Sequence, residues 1–399
     1  MLTRRIYRVF VISLFTCISC ASASVPQNDT LRLTDETITG TEQLELYIPD
    51  IQNKKIALVA NHSSMLGSIS LVDTLQNLGI TISRIFSPEH GFRGTMKEGE
   101  SVQDETLKNQ AISIVSLYGN KKKPSNSDLK DIDILVFDIQ DVGVRFYTYI
   151  TTLTLVMEAC AENKIPMIVL DRPNPNGFYI DGPVLDTAFR SFVGMHPVPV
   201  VYGLTIGEYA MMVNGEKWLE KGLKCDLKVI PLKNYYRSQI SLLHTPPSPN
   251  LKSWQAIYLY PSLCFFEGTS LSVGRGTARP FEVYGHPNLM TGSFQFIPAG
   301  ENTVLENKVC YGQDLSGYAN NYKFNPKEIV LYWLIESYNM LSKNDSFFNA
   351  YFDRLAGTDQ VRKDILSGIP EEKIREKWSH DIDTFKKIRI KYLLYPDFE

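Results

Sequence analysis

The sequence predicts an α/β fold, with a mostly parallel sheet domain followed by a smaller α+β auxiliary domain. From about residue 55 to 230, short apolar runs rich in β-branched residues alternate with longer amphipathic runs. This alternation is typical of strands that are covered on both faces by their connecting helices. Beyond about residue 240 the chain becomes rich in Gly, Pro, Ser and aromatic residues. With 399 residues, 44% of them hydrophobic, it is long enough for two cores.

The elements of the first domain follow one another along the chain. Thr205 and Glu208 form a capping-box pattern at the start of one helix. The predicted helices are SLVDTLQNLGI (70–80), YTYITTLTLVMEACAENK (147–164) and TIGEYAMMVNGEKWL (205–219). The predicted strands, each running into a polar loop, are KIALVANHSS (55–64), TISRIFSPEHG (81–91), AISIVSLYG (111–119), DIDILVFDIQD (131–141) and IPMIVLDRPNP (165–175).

The second domain is less regular. One clear helix, PKEIVLYWLIESYNML (326–341), is predicted among long loops such as HTPPSPN and YPSLCFFEGTSLSVGRGTARPFEVYGHP. We therefore predict a Rossmann-like sheet domain over residues 24–240, an auxiliary α+β domain over residues 241–399, and a cleft between the two.

The first residues have the layout of a secretory signal, with three arginines before an apolar stretch that ends in small residues. Cleavage after Ala23 would release an exported protein, whereas lipidation of Cys20 would anchor it in the cell envelope. We predict an exported chain, periplasmic or lipid-anchored, and treat residues 1–23 as a signal peptide outside the fold.

Several function classes are disfavoured by composition and motifs. A net charge of −3 from 41 basic and 44 acidic residues gives no basic footprint for a nucleic acid. No strand is followed by G-x-G-x-x-G or by G-x-x-x-x-G-K-S/T, so we predict no nucleotide. The six histidines are scattered and Cys160, Cys225, Cys264 and Cys310 form no C-x-x-C pair, so we predict neither a metal nor another cofactor, and favour buried free thiols over disulfides.

Polar residues collect directly after four predicted strands, where ligands bind in open parallel sheets. Taken singly, such residues often cap the following helix, but four polar strand ends together favour a ligand cleft. The candidates are Asn61 and His62; Glu89, His90 and Arg93; Asp138, Gln140, Asp141 and Arg145; and Asp171, Arg172 and Asn174.

Carboxylates are the chemical groups that this pattern offers. Glycoside hydrolysis requires an acid that protonates the leaving oxygen and a second group that stabilises the anomeric centre. Glu89 stands on the corner SPEHGFRG (87–94), between Pro88 and Gly91, and is our candidate acid. The alternative is an ordinary ion pair with Arg93, which a helix would favour and the two glycines of the corner disfavour.

The chain resembles the exo-β-N-acetylmuramidase family, formerly a domain of unknown function. The shared stretches are ANHSSM, SPEHGFRG, SLYG, DILVFDIQDVGVRFYTYI, VLDRPNPNG, GPVLD, FVGMHPVPVVYGLTIGE, PPSPN and YPSLCFFEGTSLSVGRGTARPFE, with a weaker match as far as RIKYLLYPDFE. The resemblance implies an exo-acting glycosidase without nucleotide or metal. Its partners would be peptidoglycan fragments such as MurNAc-GlcNAc, cleaved at the non-reducing end during cell-wall recycling.

The resemblance also implies roles for individual residues. It makes Glu89 the acid. The second group would be Asp138, Asp141 or His90. Any of these would orient the 2-acetamido group of the substrate, whose oxygen then acts as an internal nucleophile. Arg145, Arg172 or Arg275 would pair with the lactyl carboxylate. Tyr147 and Phe281 would stack on sugar, and Glu267 and Glu282 complete the candidate substrate contacts.

Two alternatives remain at the level of sequence. An exported, non-catalytic protein that binds sugars or muropeptides would use the same two-domain cleft. Another hydrolase, such as an esterase or amidase, is disfavoured because the chain has no G-x-S-x-G nucleophile motif and no metal spacing.

Overall fold

The structure is a computed structural model that describes residues 36–96, 105–107, 112–289, 293–300, 303–323, 325–341 and 346–398. The predicted signal peptide at residues 1–23 lies outside these residues. Within them there are twelve strands: β1 (Lys55–Ala60), β2 (Met65–Leu66), β3 (Ile69–Ser70), β4 (Thr81–Ser87), β5 (Glu105–Leu107), β6 (Ile112–Ser116), β7 (Ile134–Asp138), β8 (Met167–Leu170), β9 (Leu227–Ile230), β10 (Val283–His286), β11 (Gln295–Phe296) and β12 (Cys310–Asp314).

Seven of these strands form the main sheet, in the order β5-β6-β4-β1-β7-β8-β9. The six strands from β6 to β9 are parallel, and β5 pairs antiparallel with β6 at the edge. The chain starts at the central strand β1, winds outward to β6, then returns to β7 and winds outward to β9. In such a doubly wound sheet, ligands bind beyond the carboxyl ends of the strands, and the predicted parallel α/β architecture is confirmed.

The burial of the strands explains why this sheet forms. Every residue of β7 and β8 is buried, as is all of β1 except Lys55. Strands that are covered on both faces read as continuous apolar runs, and this is the pattern that the sequence shows.

Helices cover the sheet and build most of the second half. Within the described residues they are α1 (Leu44–Ile51), α2 (Leu71–Asn77), α3 (Tyr149–Asn163), α4 (Ile206–Gly215), α5 (Trp254–Leu263), α6 (Ser316–Asn320), α7 (Tyr332–Met340), α8 (Phe352–Ala356), α9 (Gln360–Leu366), α10 (Glu371–Glu376) and α11 (Ser379–Arg389). The capping box is confirmed: the Thr205 amide donates to Glu208 Oε2 at 2.9 Å, and the Glu208 amide donates to Thr205 Oγ1 at 3.3 Å.

The second half contains more helix than the sequence indicated, since α5 to α11 all follow residue 240, beside a small antiparallel sheet in the order β10-β12-β11. The helix predicted from residue 326 begins only at Tyr332. The amides just before it donate to distant side chains instead of helix carbonyls: Ile329 to Asp181 Oδ2 at 2.6 Å and Leu331 to Glu371 Oε1 at 2.7 Å. Tertiary acceptors therefore override the local helical pattern.

The two halves share one hydrophobic core. The Phe146 ring, which precedes α3, meets the rings of Tyr260 and Phe265 edge-on, with centroids 5.3 and 5.8 Å apart. This aromatic contact fixes the second half against the carboxyl edge of the sheet. The position of the domain boundary near residue 240 stays a prediction.

The four cysteines in the described residues, at 160, 225, 264 and 310, are buried free thiols, which the sequence favoured over disulfides. None of the helices that the structure describes combines the length and apolar character needed to cross a bilayer.

Candidate active site

A pocket of about 730 Å³ opens where the sheet meets the second half of the chain. This volume falls in the range of small-molecule sites. Its walls come from the loop after β4, the loop after β6, the start of α3, residues 188–193, residues 248–251, and the second-half segments at 260–281 and 351–355. Two carboxylates line it among the described residues: Glu89 from the sheet side and Glu267 from the second half.

The corner SPEHGFRG places Glu89 and His90 in this pocket. It is a series of turns, in which the Gly91 amide donates to the Pro88 carbonyl at 3.0 Å. His90 itself has a φ of 69°, in the left-handed region that only glycine adopts without cost. The corner is thus not the helix that would favour an ion pair between Glu89 and Arg93, and Arg93 lies exposed outside the pocket lining.

Glu89 is 6% exposed, and its Oε2 accepts a hydrogen bond of 2.6 Å from Thr148 Oγ1. Thr148 occupies the N-cap of α3, where a threonine hydroxyl usually bonds a helix amide. Here it makes no such capping bond, because the hydroxyl is directed to the carboxylate. The start of α3 therefore positions the Glu89 side chain.

His90 and His62 occupy different positions. His90 Nδ1 lies 2.8 Å from the Met96 carbonyl, so Nδ1 donates to that oxygen and Nε2 is the ring nitrogen that remains for other contacts. His62 Nε2 lies 2.7 Å from the Pro246 carbonyl, and burial lowers the pKa of His62 below its usual value. A Cβ on Gly94 would come within 1.9 Å of His62 Nδ1, so this glycine leaves room for the ring.

Tyr147 lines the pocket and also anchors the opposite wall. Its hydroxyl donates to the Pro247 carbonyl at 2.9 Å, and the Tyr149 hydroxyl lies 3.3 Å from the same oxygen. Together with His62, these side chains tie the PPSPN segment to the sheet. The pocket-lining residues Ser248 and Asn250 are thereby held near α3.

The wall from the second half carries a paired carboxylate. Glu267 lies on a short helical turn that follows α5, and Arg275 Nε donates to its Oε1. The Arg275 guanidinium also lies over the Phe281 ring, 5.0 Å from its centroid. All three residues line the pocket. Glu282 does not line it, and accepts a hydrogen bond from Ser253 Oγ at 2.6 Å.

Beneath the pocket lies a set of buried polar residues at the strand ends, here called the strand-end network. Its best-defined pair is Asp138 with Arg172, whose Nε and Nη2 donate to the two carboxylate oxygens at 2.5 and 2.9 Å. Thr41 Oγ1 adds a 2.7 Å bond to Asp138. The members, all less than 8% exposed and outside the pocket lining, are Asn61, Asp138, Gln140, Asp141, Asp171, Arg172 and Asn174.

The amides of this network hold the loops. Asn61 Nδ2 donates to the Tyr149 hydroxyl at 2.9 Å, Gln140 Nε2 to the Pro173 carbonyl at 2.7 Å, and Asn174 Nδ2 to the Leu204 carbonyl at 2.7 Å. Each bond joins two segments that are distant in the chain. These side chains thus fix the loops that follow β1, β7 and β8.

The carboxylates of the network are equally engaged. Asp171 accepts from the Gly207 amide at 2.8 Å and from Thr205 Oγ1 at 2.8 Å, at the start of α4. Asp141 accepts from the Tyr202 hydroxyl and, at 2.7 Å, from the Gly143 amide. Burial raises the pKa of Asp141 to about 6.

The chain matches known sequences over nearly its whole length. Residues 56–255 match the family sequence model described as exo-β-N-acetylmuramidase NamZ, N-terminal, and residues 258–395 match the one described as NamZ, C-terminal. The peptidoglycan β-N-acetylmuramidase NamZ of Bacillus subtilis (strain 168) is 35% identical over 411 aligned residues, covering 96% of this chain and 97% of that protein. The chain belongs to the exo-β-N-acetylmuramidase family.

Two solved structures from Bacteroides fragilis NCTC 9343 share this fold. Both are described as DUF1343 family proteins. One is 45% identical with a TM-score of 0.83, covering 91% of this chain and 99% of its own. The other is 30% identical with a TM-score of 0.78, covering 90% and 99%.

In this member of the exo-β-N-acetylmuramidase family, Arg145 has a buried position of its own. Its guanidinium is fully buried, and Nη1 donates to the Pro183 and Val198 carbonyls at 2.7 and 2.8 Å. Nη2 donates to the Leu355 and Ala356 carbonyls at 3.0 and 2.7 Å. Burial lowers its pKa to about 9. Arg145 thus clamps two segments that form walls of the pocket.

Sequence reasoning missed several pocket residues. Thr148 follows Tyr147 in the stretch DILVFDIQDVGVRFYTYI, which is shared with the family, and lies at the start of a predicted helix. Its position in the sequence could therefore have identified it. Lys122, Arg190 and Arg354 also line the pocket, but no local pattern marks them. Groups of three or more residues able to hold a metal ion are absent from the described part of the chain.

Proposed function

We propose that this protein is an exo-acting β-N-acetylmuramidase that releases N-acetylmuramic acid from the non-reducing end of peptidoglycan fragments such as MurNAc-GlcNAc. Membership of the family over both of its domains supports a peptidoglycan-degrading glycoside hydrolase. The observation that carries the proposal is Glu89, a carboxyl group held by Thr148 in the pocket of about 730 Å³.

Glu89 acts as the general acid. Its proton passes to the glycosidic oxygen as the bond between that oxygen and the anomeric carbon breaks. The carbonyl oxygen of the substrate's own 2-acetamido group attacks the anomeric carbon and forms a five-membered ring. A water molecule, which Glu89 now deprotonates, opens this ring and yields free MurNAc.

His90 is the favoured orienting group for the acetamide. Of the three sequence candidates for the second group, His90 lines the pocket, whereas Asp138 and Asp141 belong to the strand-end network. With Nδ1–H bonded to the Met96 carbonyl, Nε2 of this tautomer accepts a hydrogen bond from the acetamide N–H. This bond increases electron density on the attacking oxygen.

The proposal includes the place of action. We propose that residues 1–23 direct export, and that the mature chain works in the periplasm or, if Cys20 carries lipid, on the membrane that faces it. The sugar-binding alternative is not favoured, because a relative matched over 97% of its length is described as an enzyme.

Purified protein incubated with MurNAc-GlcNAc tests the activity. We expect free MurNAc and GlcNAc in equal amounts by mass spectrometry. The parallel substrate GlcNAc-GlcNAc serves as the control for specificity. Recovery of intact MurNAc-GlcNAc from a tight complex would refute the hydrolase and support a binding protein.

A further inference from the structure

The pocket carries more cationic than anionic side chains. Its described lining contains Lys122, Arg190, Arg275 and Arg354 against the carboxylates Glu89 and Glu267. Arg275 pairs with Glu267, and Lys122 lies over the Phe192 ring at 4.8 Å from its centroid. Arg190 and Arg354 are exposed at the pocket wall, and no described carboxylate forms a salt bridge with either.

The three arginines proposed from the sequence to bind the lactyl carboxylate already have hydrogen-bond partners in the protein. Arg172 is paired with Asp138, and Arg275 with Glu267. Arg145 donates to four backbone carbonyls and is fully buried. Arg145 and Arg172 are buried outside the pocket lining, and the charge of Arg275 is already balanced by Glu267.

Arg190 and Arg354 lie on two segments that are fastened together. The Arg145 clamp holds the carbonyls of Pro183 and Val198, which flank the segment that contains Arg190. The same guanidinium holds the carbonyls at the end of α8, the helix that contains Arg354. The Asp186 amide also donates directly to the Gly357 carbonyl at 2.9 Å. The two cations are thus carried on one anchored unit.

We propose that Arg354 and Arg190 bind the carboxylate of the lactyl group, the substituent that distinguishes MurNAc from GlcNAc. This assignment rests on the proposed function and deepens it. A guanidinium presents two parallel N–H donors that match a carboxylate. No carboxylate among the described residues forms a salt bridge that would cancel its positive charge here. Amide coupling of a stem peptide to the lactyl group removes the negative charge that the pair recognises.

Calorimetric binding tests this without relying on turnover. The variants are Arg354→Met and Arg190→Met, with Arg354→Lys as the charge-preserving change and Lys363→Met as an exposed cation outside the pocket. The probes are MurNAc, its lactyl amide, and MurNAc carrying L-Ala-D-Glu. We expect wild-type protein to bind MurNAc about 10-fold or more tightly than the amide, because the loss of one hydrogen bond between charged groups weakens binding by about this factor.

Each Met variant should lose most of this preference, while its affinity for the amide and its thermal unfolding stay at wild-type values. Arg354→Lys should keep part of the preference, and Lys363→Met all of it. An unchanged preference in both Met variants, or wild-type protein that binds the amide as well as MurNAc, would overturn the assignment. If the Met variants weaken binding of the peptide-bearing probe and leave binding of MurNAc unchanged, the pair binds a peptide carboxylate and the lactyl assignment is wrong.

The disaccharide assay separates this inference from the proposed function. If wild-type protein discriminates MurNAc from its amide through Arg354 and Arg190 but releases no sugar from MurNAc-GlcNAc, the recognition site stands and the proposed hydrolase activity is wrong. If wild-type protein hydrolyses the disaccharide and both Met variants do so with the same KM, the proposed activity stands and the recognition site is wrong.

Discussion

The strand-end network and the pocket above it use the same kinds of residue in opposite ways. In the network, Asp138 and Arg172 form an ion pair with each other, and their side chains are 0% and 7% exposed. In the pocket, Glu89 is held by one described hydrogen bond, from Thr148, and Arg354 lines the wall without a described carboxylate partner. The carboxyl edge of the sheet supplies the network and Glu89, whereas Arg354 comes from α8 in the second half.

The difference teaches that a polar strand end is not in itself evidence of substrate contact. Loops without regular structure leave buried backbone groups that need partners. Asn61, Gln140 and Asn174 supply such bonds and so make the loops rigid. We expect changes in the network to lower stability, and changes in the pocket to lower the rate.

The largest expected effect is that of Glu89→Gln. Loss of a general acid lowers kcat by about 100- to 10,000-fold, while the amide oxygen still accepts from Thr148 and leaves thermal unfolding close to wild type. Initial rates of MurNAc release, with calorimetric unfolding of the same samples, measure both. Near-full turnover would show that Glu89 is not the acid.

Arg172→Met tests the opposite side of the comparison. Removing one partner of a buried ion pair costs about 3 to 5 kcal/mol, because Asp138 is left charged and buried. The free energy of unfolding in urea should fall by this amount, and kcat of the folded fraction should stay close to wild type. The double variant Asp138→Leu, Arg172→Met is the matched control and should recover part of the loss. A drop in kcat without loss of stability would place Arg172 in the reaction.

Asp141→Asn should change how stability depends on pH. Burial raises the folded-state pKa of Asp141 to about 6, above its ordinary value. The folded state therefore holds a proton that the unfolded state has lost between about pH 4 and 6. Stability from this group is fully present below about pH 4 and is lost as the pH rises through 6, by about 2 to 3 kcal/mol in total.

The Asn variant cannot ionise, so the difference between the two unfolding free energies should change across this window and stay constant above pH 7. Urea titrations at pH 4, 5, 6, 7 and 8 measure it. Parallel pH curves for the two proteins would contradict the protonated Asp141.

Thr148→Val should have the smallest effect. It removes the 2.6 Å bond to Glu89, which contributes about 1 kcal/mol, so kcat/KM should fall about fivefold. Thr148→Ser keeps the hydroxyl and should behave like wild type. If Val and Ser variants are equally active, the start of α3 does not position Glu89.

Part of the site could be predicted because its signals are local. The corner at Glu89 combines Pro88, a polar pair and two glycines within eight residues, and the structure places that corner in the pocket. Arg354 has no comparable signal, since it lies on the five-residue helix α8 and reaches the pocket through contacts with distant segments. The roles assigned to these residues stay predictions.

The sequence by itself determined the parallel α/β architecture, five of the six parallel strands and the capped start of α4, whereas β9 and the edge strand β5 were not predicted. The predicted features follow from periodicity and capping, which depend on neighbours within a few residues. Only the tertiary structure decided which polar strand ends bond one another and which face the pocket. It also decided that Arg145 clamps two walls, because its carbonyl partners lie between 38 and 211 residues away along the chain, where no local pattern reaches.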